Sequence, residues 1–201
     1  MRVESPTFPG IPMRHSRLST LACLLALTSL AGCAGMVRVV TYEYPQSTET
    51  ARANLQEAAA AGPVLLEVRD NPFTGDVARS FAAAASETSV GFRASFTTDR
   101  ALAAQRDVRL VVQFSPAPGI TSFEVCDPSR PVAKAAPSGY LTALVAFCNR
   151  NHPILSAVTY AGKVEGAESP VIRHMAEQAM IRMFIPSGYS RDNPGDLWPD
   201  I

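Results

Sequence analysis

The chain has 201 residues, 47% of them apolar, and a formal net charge of zero. That profile is globular and excludes a disordered or collagen-like chain. The arginines are scattered, only Lys134 and Lys163 are lysines, and no run of basic residues is present to displace counterions from phosphates, which sets nucleic acid aside as a partner.

Residues 1–12 carry Pro6, Pro9 and Pro12 and add nothing to the segment behind them, so Met13 is the expected true start. Arg14-His15-Ser16-Arg17 is basic, residues 21–31 (LACLLALTSLA) are apolar, and Gly32 and Cys33 follow. A positive start, a short apolar middle and small residues at the cut have the form of a secretory signal over residues 1–32. Leu30-Ala31-Gly32-Cys33 resembles, position by position, the lipobox of bacterial lipoprotein precursors. The resemblance implies cleavage between Gly32 and Cys33, a diacylglyceryl group on the Cys33 thiol and acylation of its new amino group. Small residues let the extended backbone enter a narrow protease site, and two or more acyl chains anchor where one is marginal.

Ala34 stands where, in that family, Asp tends to hold the protein at the inner membrane. The resemblance therefore implies the periplasmic face of the outer membrane in a cell with two membranes, and the outer face of the plasma membrane otherwise. An uncleaved anchor and a plain secreted protein are the alternatives. Residues 18–37 lack charge over a length close to a bilayer span, although Ser19, Thr20, Thr28 and Ser29 dilute the run. Without residues 1–32, which hold Arg2, Arg14, Arg17 and Glu4, the chain carries 15 basic against 17 acidic side chains.

Residues 33–37 form a short lipid-anchored leader, and the globular domain is expected over 38–186. Arg38 to Tyr44 reads as a strand stopped by Pro45. TARANLQEAAAAG, residues 50–62, reads as a helix ended by Gly62-Pro63. VLLEVRD, residues 64–70, is a strand ending at Asn71-Pro72, and residues 76–87 are a helix with Asp76 in its first turn. In residues 91–98, apolar Phe92, Ala94 and Phe96 alternate with polar residues, as in a half-buried strand.

Residues 108–114 and 121–126 read as further strands, with a proline-rich loop over 127–139. Residues 141–148 and 154–162 form a hairpin whose first strand, apolar on both faces, belongs at the sheet centre. Ser169-Pro170 opens a last helix that buries Ile172, Met175, Ala176, Ala179 and Met183. The order β-α-β-α-β-β-β-β-β-α is α+β: one domain with a mixed, mainly antiparallel sheet and helices packed on one face. Residues 187–201 read as a loose tail, and Pro-Ser-Gly-Tyr at 137–140 and 186–189 is turn chemistry and not a duplicated unit.

Cys23 leaves with the signal and Cys33 takes the lipid, so Cys126 and Cys148 remain as an even pair. In an oxidising compartment they are expected to form a disulfide; two buried thiols are the alternative. The spacing has no C-x-x-C form, so neither a zinc site nor a redox centre is expected. Cysteines ending two neighbouring antiparallel strands would lie about 23 Å apart at about 3.3 Å per residue, against the roughly 7 Å that a disulfide spans. Either those strands run parallel, or residues 127–139 fold back, or the bond is absent; the first two together are favoured.

Asp70-Asn71-Pro72-Phe73-Thr74-Gly75 joins a strand to a helix, a place where ligands bind in open sheets. Asp70 and Thr74 would face a pocket there, with the helix start holding an anion. The competing reading, which we favour, makes Asn71-Pro72 a turn, Phe73 a core plug and Thr74 or Gly75 the helix cap. His152 and His174 are the histidines after the signal, and neither has a second ligand at metal spacing. No G-x-S-x-G, phosphate loop or H-E-x-x-H occurs, so no catalytic residue, metal or cofactor is expected. Trp198, in the tail with Leu197 and Ile201, either folds back on the domain or docks to a partner. The functional expectation is a non-catalytic lipoprotein that binds an envelope partner or aids an assembly. The alternative is a lipid-anchored hydrolase or small-ligand-binding protein using the Asp70 loop.

Overall fold

Capping and proline placement mark the helices, and each is held by the face it buries. The computed structural model describes residues 38–43, 47–136 and 139–186. The expected signal over residues 1–32, the expected cleavage and lipidation site at Gly32 and Cys33, and Trp198 lie outside the described residues. Strand β1 is Arg38–Glu43 and helix α1 is Thr48–Ala61, capped by Ser47. Strand β2, Val64–Arg69, leads to α2, Val77–Glu87, where Asp76 Oδ1 accepts from the Arg79 N–H at 3.0 Å. Strands β3, Phe96–Thr97, and β4, Gln105–Phe114, precede a short helix α3, Ser122–Cys126. Strands β5, Leu141–Asn149, and β6, His152–Ala161, form the expected hairpin, and α4 is Pro170–Phe184. Its cap is the expected one: Ser169 Oγ accepts from the Val171 N–H at 3.3 Å, with Pro170 in the first turn.

The fold is α+β. Six strands lie in the order β1-β6-β5-β4-β2-β3. The β1/β6, β6/β5 and β5/β4 pairs are antiparallel, and β2 runs parallel to both β4 and β3. β5 is interior, as its two apolar faces require. One face of the sheet, including Leu66, Leu110, Val112, Phe114, Val145 and Phe147, is buried under α1, α2 and α4. Leu55 of α1, Phe81 of α2 and the whole expected stripe of α4 are 0% exposed. Phe81 meets Phe114 edge to face at 6.5 Å, and Phe184 meets Phe147 at 5.2 Å, geometries that favour the ring quadrupoles.

Two expected strands are different. Residues 121–126 are not a strand, because Thr121 and Glu124 build a capping box and start α3. The Thr121 N–H donates to Glu124 Oε2 at 3.0 Å, and Thr121 Oγ1 accepts from the Phe123 N–H at 3.3 Å. Of residues 91–98, only Phe96 and Thr97 join the ladder, opposite Val64 and Leu65. The expected alternation still holds in burial, since Ala94 and Phe96 are buried and Arg93 and Ser95 exposed. Gly91, φ +87°, turns the chain at the start of this stretch, and a Cβ there would collide with the Arg52 guanidinium. That group donates to Val90 O at 3.1 Å and lies 5.8 Å from the Phe92 ring centre.

The second face of the sheet is covered differently. Residues 115–136 leave β4, cross that face as a strap, and return before β5 begins. The strap closes on itself where the Ala117 N–H donates to Ala133 O and the Ala135 N–H to Ser115 O, both at 2.8 Å. Under it Val111, Leu144, Ala146 and Cys148 pack against Val125 and Cys126. Cys126 and Cys148 are at disulfide distance, with Cα atoms 5.7 Å apart, and are joined. Contrary to expectation, the two cysteines therefore do not end two strands. Cys126 ends a helix lying over β5, and the bond joins strap to sheet instead of strand to strand.

Closing a loop of this separation, 22 residues, stabilises the native state by about 3 kcal/mol in the chain-entropy description. The Cys126→Ala/Cys148→Ala chain should lose that amount in urea denaturation, and adding a reductant to it should change nothing further. A loss below about 1 kcal/mol, against the usual range for native disulfides, would show that the remaining strap contacts suffice.

Candidate functional site

The parallel β2/β4 pair brings two strand ends together, with Arg69 opposite Gln113. Each strand is followed by a non-glycine residue in the left-handed region, Asp70 at φ 55° and Ser115 at φ 46°. Such strain is tolerated where surrounding contacts over-determine the backbone, and here they do. Lys134 Nζ lies 2.7 Å from Asp70 Oδ1, and Gln113 Nε2 donates to Asp70 Oδ2 at 2.9 Å and to Phe114 O at 2.9 Å. The Ser115 N–H donates to Thr142 O at 2.8 Å. A cleft of about 590 Å³ opens above these groups, walled by Asp70, Phe73, Ser115, Lys134, Tyr140 and Lys163. That volume falls within the range of small-molecule sites.

Both readings of the 70–75 loop are realised in part. Asn71 makes the turn, its Oδ1 accepting from the Phe73 N–H at 2.9 Å and its Nδ2 donating to Gly75 O at 2.8 Å. Phe73 is half-buried, meets Phe114 edge to face at 6.2 Å, and forms one wall of the cleft without filling it. The cap is Asp76, not Thr74 or Gly75. Its carboxylate already occupies the start of α2, so that helix end is not an anion site. Thr74 is exposed and does not line the cleft.

Burial works against ionisation of Asp70, but the hydrogen bonds from Lys134 and Gln113 outweigh it and hold the carboxyl below its ordinary range. An ionised carboxylate with both oxygens engaged is a poor general base and a good structural anion. The described histidines are elsewhere: His152 is exposed at the start of β6, and His174 Nδ1 lies 3.4 Å from Glu177 Oε2 on α4. Among the described residues no group of three His, Cys, Asp or Glu side chains is placed to hold a metal. None of their helices is long and apolar enough to cross a membrane.

The residues around Asp70 continue into a polar layer beneath the strap, which the sequence did not announce. Arg109, 5% exposed, donates from Nη2 to Cys126 O at 2.7 Å and places Nε 3.0 Å from Glu67 Oε2. Arg100 reaches Glu67 Oε1 at 3.2 Å, and Arg69 donates to Glu124 O at 3.3 Å. Two carbonyls of α3 are thereby satisfied by arginines of the sheet. Gln113 and Ser115 come from the end of β4 and Lys134 from the returning strap, and only the alternation of β4 hinted that Gln113 shares a face with Arg109.

No family model matches the chain, and neither does any curated protein. Among solved structures, the PelC dodecamer from Paraburkholderia phytofirmans is similar at 13% identity and a TM-score of 0.40, over 76% of this chain and 100% of that one. A single-substitution form of the same dodecamer is similar at 10% identity and a TM-score of 0.38, with the same coverage. Likeness at this level carries no argument about function.

The ionised state of Asp70 gives a signed prediction. Because its folded pKa is lowered, its contribution is present above the unfolded carboxyl range of about 3.9 and is lost as pH falls through the folded value. Asn tolerates the left-handed backbone, so Asp70→Asn removes charge without adding strain. The stability gap between the two chains in urea should be larger at neutral pH than in strong acid. An equal gap at both would show that the Lys134 pairing is not its source.

Proposed function

We propose that this chain is a lipid-anchored envelope protein whose domain binds a partner or supports an assembly, without catalysis. The observation that carries the reading is Leu30-Ala31-Gly32-Cys33 standing just ahead of β1, which begins at Arg38. A lipid on Cys33 would hold the sheet within about 17 Å of the bilayer surface, at about 3.4 Å per extended residue. The paired Cys126 and Cys148 support an oxidising compartment, as the signal implies. The saturated Asp70 carboxylate supports binding over hydrolysis.

A second reading, binding of a small anionic ligand in the Asp70 cleft, is favoured by Lys163 lining it together with Lys134. Succinate should then raise the thermal midpoint of the full chain and leave that of Lys163→Ala unmoved; no rise in the parent chain removes this reading.

The anchor is tested by growing cells on labelled palmitate. The parent chain should carry label and fractionate with the outer membrane, and Cys33→Ser should do neither. A native product whose residues 1–32 are retained, or whose Cys33 thiol is bare by mass analysis, overturns the proposal.

A further inference from the structure

The only lysines of the chain are Lys134 and Lys163, and both line the Asp70 cleft. Lys134 is paired with Asp70, the one acidic side chain of the lining. Lys163 is exposed and has no ion pair among the described residues. Two ammonium groups against one carboxylate leave the lining a single positive charge in excess. Phe73, Leu141 and Val164, each half-buried, and Tyr140, 70% exposed, add apolar wall. A small dianion would exceed that charge and leave those walls unused. The matching ligand is a monoanion with an apolar body. A phosphodiester carries one negative charge, and lysine binds phosphate as a point charge.

The place of the cleft in the sheet favours one source of such a molecule. Arg38 lies opposite Tyr160, Leu141 opposite Ala161, Phe114 opposite Ala143, and Gln113 opposite Arg69. The start of β1 thus shares one end of the sheet with the strand ends that carry Asp70, Ser115, Leu141 and Lys163. Cys33 stands just ahead of Arg38 in the sequence, so a lipid on it tethers this end to the bilayer. The β5/β6 turn is the far end, about 30 Å away along the strands at about 3.4 Å per residue. We infer that the Asp70 cleft binds the headgroup phosphodiester of a membrane phospholipid, with Lys163 as its counter-ion and the apolar walls against its glycerol and first acyl carbons. The inference rests on the lipid anchor and on the anion-binding reading of this cleft.

The test uses the native full chain in neutral detergent micelles, with dioleoylphosphatidylglycerol added and bound lipid counted by native mass spectrometry. Each chain should retain a single phosphatidylglycerol, and Lys163→Ala should retain several-fold less. Dioleoylglycerol, which lacks the phosphate, should not be retained. Glycerophosphoglycerol, which lacks the acyl chains, should need about tenfold more to bind, the worth of about two methylenes against the walls. If Lys163→Ala does not fold, acetylation in the parent chain decides: phosphatidylglycerol should slow the reaction of Lys163 several-fold, and dioleoylglycerol should leave it unchanged. Equal retention by the parent chain and Lys163→Ala overturns the inference, as does retention of dioleoylglycerol. Glycerophosphoglycerol or succinate binding as tightly as the lipid overturns it while leaving the anion site standing, and failure of every anion removes both. The same spectrum weighs Cys33, so a bare thiol is read separately and overturns the anchor together with this inference.

Discussion

A sheet has two faces, and three helices cover one of them. Everything else about this domain follows from how the other is closed. Residues 115–136 do it with little secondary structure: one short helix, a small bridge between Pro116 and Lys134, and a covalent bond from Cys126 to Cys148. Six buried residues make up the core beneath, far fewer than on the helical side. The disulfide and the arginine-to-carbonyl hydrogen bonds add to that apolar burial in holding the strap over Val111, Leu144 and Ala146.

The polar layer shows how charge is used under such a cover. Arg109 is almost completely buried, a position that is tolerable only with a counter-ion and hydrogen-bond acceptors around it. Glu67 and the Cys126 carbonyl provide them. The same device recurs at Asp70, where Lys134 comes from the strap and Gln113 from the sheet. The Arg109–Cys126 and Asp70–Lys134 contacts tie β4 and the end of β2 to the returning chain, so the strap also forms part of the Asp70 cleft.

Local signals made most of the fold legible. The stripe of α4, the Ser169 cap, the central β5 and the β5/β6 hairpin all follow from periodicity and punctuation within a few residues. Residues 121–126 misled because Phe123 and Val125 alternate with polar neighbours, as in a strand. The corrective signal was present in Thr121 and Glu124, spaced as a capping box. Residues 91–98 misled in another way: their alternation sets burial, but pairing depends on an available edge, and β2 bonds them only at Phe96 and Thr97. At the site, Asp70 was legible as a loop residue, and its partners were not. Gln113 and Lys134 meet it only because β2 and β4 run parallel and the strap doubles back, neither of which is encoded near Asp70.

The outermost strand on one side, β1, is also the first described element, and its partner is among the last: Arg38 sits opposite Tyr160 and Glu43 opposite Leu155. A chain emerging from a ribosome or threaded N-terminus first through a pore cannot close this sheet until β6 has cleared the exit. Pairings so distant in sequence form slowly. Synthesis would therefore finish before this sheet can close.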